Sequence, residues 1–112
     1  MQLRFDEIGE VLRVSLQGRL DSAGVDVIET QFQAGVVAKG KNTVVDLTEV
    51  TFLASLGIRM IIAATRSLSF KGAKIALFGA IPAVMDIIDA VALDDIVPIA
   101  ATQADAIALV TG

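Results

Sequence analysis

Apolar and polar residues alternate at the start of the chain. Leu3 to Phe5 and then Val11-Leu12-Arg13-Val14-Ser15-Leu16 follow a period of two, and Glu7, Gly9 and their neighbours interrupt it; this predicts two strands joined as a hairpin. After Gly18-Arg19-Leu20-Asp21-Ser22 the period lengthens. Val25, Ile28, Phe32 and Val36 recur at three- and four-residue steps, as one face of a helix does, with Asp21 or Ser22 placed to cap it. Gly40 ends that helix. Thr43-Val44-Val45-Asp46-Leu47 has the β-branched density of a buried strand, bounded by Asn42 and by Thr48-Glu49.

The alternation of strand and helix then repeats. Ser55 precedes a helix over Leu56 to Leu68, Lys71-Gly72 stops it, and Lys74 to Phe78 forms the next strand. A third helix starts at Pro82, with Val84, Met85, Ile88 and Val91 as its inward face. Ile96 to Ile99 reads as a short strand that Pro98 confines to an edge, and Thr102 caps a last helix reaching Leu109. Strand–helix–strand crossovers imply parallel pairing, so the expected architecture is α/β: a small, mostly parallel sheet with an N-terminal hairpin, packed by four helices.

Composition first raises and then removes a membrane reading. Of the residues, 54% are hydrophobic, and the mean hydropathy is +0.72. Yet the longest apolar, charge-free stretch, Ile75 to Met85, is interrupted by Gly79 and Pro82 and falls short of the ~18 residues a spanning helix needs. Parallel strands buried on both faces account for the apolar content instead. Arg4, Asp6, Glu7 and Glu10 crowd the amino terminus, where a signal peptide would carry its apolar core, so the cytoplasm is the expected compartment.

The chain contains neither cysteine nor histidine. Disulfides, thiolate metal sites and Cys-His or Ser-His catalytic pairs are therefore excluded. A net charge of −4, with no Trp or Tyr, disfavours nucleic acid, because phosphates are repelled and bases find few stacking surfaces. Gly35 to Asn42 matches phosphate-loop spacing except that Asn42 replaces the final Ser or Thr. It closes a helix and leads into a strand, the reverse of the order such a loop needs, and a glycine stop flanked by lysines explains it. Asp86 and Asp89 share a helix side, with Asp94 and Asp95 beyond; they read as a solvated face rather than a cation site.

The stretch Asp46-Leu47-Thr48-Glu49-Val50-Thr51-Phe52-Leu53-Ala54-Ser55-Leu56-Gly57-Ile58 resembles the signature of STAS domains of the anti-sigma factor antagonist family. There, a strand ending in Asp-Leu and an aromatic-containing loop precede Asp-Ser-Ser/Thr-Gly-Leu/Ile at a helix start. Gly18-Arg19-Leu20-Asp21 is similar to the family's Gly-x-Leu-Asp loop after the second strand. Element order and length agree over nearly the whole chain, which makes residues 1–112 a single expected STAS domain.

The resemblance implies a binding module that is not an enzyme and needs no cofactor. Its partner would be a GHKL-type anti-sigma factor and serine kinase that holds the ATP, served by a cognate phosphatase, with a sigma factor released on binding. Ser55 corresponds to the serine that the kinase phosphorylates, and Asp21 to the acidic residue beside it. The expected contact surface combines Asp21 and Ser22 with the loop from Thr51 through Ala54 to Ser55. Leu56, Gly57 and Arg59 extend it along the helix, whose exposed face also carries Arg66.

Ala54 stands where the family motif has aspartate, and Leu56 where it has Ser or Thr. A kinase that needs that carboxylate would phosphorylate Ser55 poorly, leaving the domain to bind constitutively. From the residues alone, an N-cap is the favoured reading of Ser55, and only the resemblance raises the switch. Two rival roles stay open: an accessory STAS subunit of an ABC lipid transporter or another signalling complex, and a small-ligand or nucleotide-binding module using loops at the carboxyl ends of parallel strands. Monomer and homodimer are both open as well.

Overall fold

The computed structural model, which describes residues 1–112, begins with the hairpin: β1 (Gln2–Ile8) runs antiparallel to β2 (Val11–Leu20), with Ile8 opposite Val11. The remaining strands are β3 (Thr43–Leu53), β4 (Ile75–Phe78) and β5 (Ile99–Ala100), and all pair in parallel. Sheet order follows chain order, β1-β2-β3-β4-β5, so the first three helices cross over between neighbouring strands and the last follows β5. The helices are α1 (Ser22–Val37), α2 (Ser55–Phe70), α3 (Pro82–Ala90) and α4 (Gln103–Thr111).

Alternation along the strands divides the core in two. Val14, Leu16, Val45 and Leu47 point to the side where Ile28, Phe32, Ile61, Leu68, Val84 and Ile88 of α1, α2 and α3 close over them. Val44, Ala76 and Phe78 point the other way, against Ala106 and Val110 of α4. Arg13 ties α4 to the hairpin, donating to Gln103 at 2.8 Å and to Asp6 at 2.9 Å. Beyond the reach of α4 this second face is polar and open. Arg4, Ser15, Gln17, Asp46, Thr48 and Glu49 border a concavity of about 410 Å³ there.

Several boundaries depart from the sequence expectation, and β2 itself runs past Leu16 to Leu20. β3 does not stop at Thr48-Glu49 but continues to Leu53, because those polar side chains lie exposed while Val50 and Leu53 are buried. Asp46 Oδ1 accepts from the Thr48 amide and hydroxyl at 2.9 and 2.7 Å, and the pairing shifts between Ser15 and Gln17 on β2. The expected strand Ile96–Ile99 moves to Ile99–Ala100, since Leu93–Asp95 forms a 3₁₀ turn that buries Leu93, and Val97 is buried just after it. α3 ends at Ala90, which leaves Val91 half exposed rather than on the inward face. α2 begins at Ser55, one residue earlier than the periodicity indicates.

Candidate functional site

The carboxyl ends of β2 and β3 meet. Leu20 pairs with Leu53, and the Ala54 amide donates to the Leu20 carbonyl at 3.0 Å, so the turns into α1 and α2 are held side by side. Asp21 is the cap of α1: its Oδ1 accepts from the Gly24 amide at 2.9 Å and its Oδ2 from Arg19 Nε at 3.2 Å. The Gly24 amide and, next, the Arg19 guanidinium hold the Asp21 carboxyl below the ordinary aspartate range. A second pairing shift, between Gly18 and Arg19, accompanies the placing of the Arg19 guanidinium over the Phe52 ring, 4.4 Å from its centroid.

Across from this cluster stands the start of α2. Ala54 takes the extended cap conformation, φ −119° and ψ 176°, and makes no side-chain capping bond; Ser55 is already helical and exposed. The N-cap reading of Ser55 is therefore corrected. The Ala54 amide is drawn to the Leu20 carbonyl, which places the cap one residue before the serine and leaves the hydroxyl free of the capping task. The first-turn amides of α2 keep their partial positive charge with no side-chain oxygen to cap them.

The sequence-derived surface residues separate into distinct positions. Ser22, Ser55, Leu56 and Arg59 are exposed around the two turns, Asp21 and Ala54 are half buried between them, and Arg66 is exposed further along α2. Thr51 is exposed but belongs to β3, so the loop expected from Thr51 to Ser55 shrinks to Ala54 alone. Gly57 is buried and offers no surface. A Cβ there would lie 2.7 Å from Leu20 Cγ and 2.8 Å from the Leu20 carbonyl oxygen, so this glycine lets α2 approach β2. Arg19 and Phe52 lie inside the two quoted motifs, each one residue before the end of its strand, and Phe52 falls within the expected Thr51–Ser55 loop, but the sequence singles out neither as a contact.

Other features carry less. Asp86, Asp89, Asp94 and Asp95 do not gather into a group of three or more possible metal ligands. Gly35 to Asn42 closes α1 and enters β3, with Gly40 at φ +60°. A cavity of about 790 Å³ opens where β4 and β5 end, beside the middle of β3, lined by Thr48, Ala80, Met85, Asp94 and Ile99 among others. No helix is long and apolar enough to cross a membrane.

Comparisons with known proteins bear on this arrangement. The family model of the STAS domain matches residues 2–106. The crystal structure of an anti-sigma factor antagonist from Mycobacterium paratuberculosis superposes with a TM-score of 0.89 at 26% identity, covering 99% of this chain and 94% of that one. An anti-sigma-factor antagonist (STAS) domain protein from Planctomyces limnophilus gives 0.84 at 20% identity, over 96% and 95% of the two chains. The Bacillus cell fate determinant SpoIIAA in its phosphorylated form gives 0.68 at 18% identity, over 96% and 98%. No curated protein sequence matches.

Proposed function

The chain belongs to the STAS domain family, and from that premise we propose that it is an anti-sigma factor antagonist, a binding module that docks on a GHKL-type anti-sigma factor and so releases a sigma factor. The observation that carries this reading is the exposed Ser55 hydroxyl on the first residue of α2, engaged in no cap and bordered by the Asp21–Arg19 cluster, Leu56 and Arg59. The Mycobacterium paratuberculosis structure, of an anti-sigma factor antagonist, supports it at the level of the whole chain.

Phosphorylation at Ser55 is a chemically sound switch. A phosphoserine adds about −1.5 to −2 charges, and the first-turn amides of α2, together with the helix dipole, tolerate an anion there. The fold would persist while the charge entered the middle of the contact surface, where an acidic partner patch would be repelled. Ala54 removes the carboxylate that the family motif places beside the serine, and the Asp21 carboxylate is bonded to Arg19 and to the Gly24 amide. A kinase acting on Ser55 must therefore supply its own base for the hydroxyl.

Capture from native cell extract tests the reading, using the wild-type chain, Ser55→Ala and Ser55→Asp as baits. One ATPase of the GHKL type should be retained by the first two and lost by the third. Equal retention by all three would overturn the proposed switch, and absence of any such ATPase would overturn the partner class.

The small-ligand reading has one observation in its favour, the cavity of about 790 Å³ at the ends of β4 and β5. Its lining includes Asp94 and no lysine or arginine, which suits an apolar molecule better than a nucleotide.

A further inference from the structure

The opposite end of the sheet has a different chemistry. All four lysines of the chain lie in the two crossover loops there: Lys39 and Lys41 between α1 and β3, Lys71 and Lys74 between α2 and β4. The loops touch, since Lys71 Nζ donates to the Val37 carbonyl at 2.7 Å and the Lys74 amide to Asn42 Oδ1 at 2.9 Å. Lys74 Nζ also lies 3.4 Å from the Gly112 carbonyl oxygen. The acids of the adjoining hairpin are Asp6, taken by Arg13 and Arg4, Glu7, which takes Lys41 at 2.9 Å and Lys39 at 4.0 Å, and Glu10 in the turn. Phe70, the last residue of α2 and the neighbour of Lys71 in the chain, stands at this same end with 93% of its surface exposed.

An isolated phenylalanine in water is costly, and ordinary packing offers this one nothing. Neither of the two cavities described above is lined by residues of this end, so the ring stands on a projecting tip rather than beside a socket. An exposed apolar ring at the same end as the cations suits a fluid anionic surface, which admits the ring between headgroups and meets the ammonium groups with phosphates, without needing a fitted pocket. A chain of net charge −4 whose lysines all lie at the end that carries its most exposed phenylalanine is complementary to such a surface at one end only.

We propose that Phe70 with Lys39, Lys41, Lys71 and Lys74 forms a peripheral docking tip for anionic lipid bilayers. α2 spans roughly 24 Å at 1.5 Å per residue, and Ser55 lies at its far end. A protein seated by Phe70 therefore turns the Ser55 surface away from the membrane. The inference does not depend on the identity of the partner at that surface.

The chain has no Trp or Tyr, so Phe70→Trp introduces a single fluorophore at the tip without disturbing any packing. Vesicles of phosphatidylcholine with phosphatidylglycerol should shift its emission to the blue and sediment the protein at low salt. Pure phosphatidylcholine vesicles should do neither, and added salt should reverse both effects. Phe70→Ser should weaken sedimentation, and Lys39→Gln with Lys74→Gln should lower the partition coefficient by about one order of magnitude. Unshifted emission with anionic vesicles would overturn the proposal. So would sedimentation indifferent to Phe70→Ser, or a shift produced by soluble polyglutamate but not by vesicles, which would mark the tip as a site for an acidic protein.

Discussion

Asp21 is both a cap and a member of the surface proposed to bind a partner, and the two roles can be separated by pH. Its folded-state carboxyl titrates below the ordinary value because the Gly24 amide, and secondarily Arg19, favour the charged form. A lowered pKa means the carboxylate stabilises the fold at pH values above the unfolded-state pKa, about 3.9, and ceases to do so as pH falls through the folded value. Asp21→Ala should therefore lower the urea midpoint at neutral pH by an amount that shrinks towards zero in acid. A pH-independent difference would mean that Asp21 acts through something other than its charge. Gly57 offers a contrasting case, in which helix propensity and packing oppose one another. Alanine improves the helix by up to about 1 kcal/mol. Its Cβ would nevertheless meet the Leu20 carbonyl, a backbone atom already accepting from Ala54, and overpacking of this kind costs about 1–3 kcal/mol. Packing should win, so Gly57→Ala is expected to destabilise by about 1 kcal/mol in urea titration, and a stabilised variant would show that α2 can shift away from β2.

At the scale of elements, α2 does two jobs with two faces. Met60, Ile61, Ala64 and Leu68 bury one side against the sheet and α1, while Arg59 and Arg66 stay in water. Because its charge is exposed and outside the core, Arg59→Glu should leave the melting temperature nearly unchanged. If the helix borders the partner, the substitution should slow association and flatten or reverse its salt dependence, since a steering charge is lost. Unaltered association kinetics would remove Arg59 from the interface. β3 matters for the same region in another way. Had it ended at Leu47, the Arg19 and Phe52 pair would not form, because the register that brings them opposite each other lies in the last residues of β2 and β3.

Over the whole molecule, sequential strand order makes the two ends of the sheet chemically distinct. Every parallel strand points the same way, so each turn from a strand into a helix gathers at one end and each return from a helix to a strand at the other. The first end holds Asp21, Ala54 and Ser55. The second holds the lysine loops and Phe70. A substitution at one end is thus about a helix length from the other, and effects on partner capture and on vesicle binding should be independent for variants that keep the fold.

The local periodicities of this chain were sufficient for the hairpin, the four helices and the alternation that makes an α/β sheet, because a period of two or of 3.6 is imposed by the geometry of each segment alone. The same local signals, with two short motifs, singled out Asp21 and Ser55. What they could not decide were matters of pairing between distant segments. Ser55 lost its capping role because Ala54 is held by Leu20, and Thr48-Glu49 stayed in a strand because β2 supplied partners and an uncovered face. Gly57 proved buried because Leu20 fills the space above it. The lysine tip exists only because Lys71 reaches Val37, 34 positions earlier in the chain. Such contacts are selected by the packing of the finished sheet, and no window of neighbouring residues contains them.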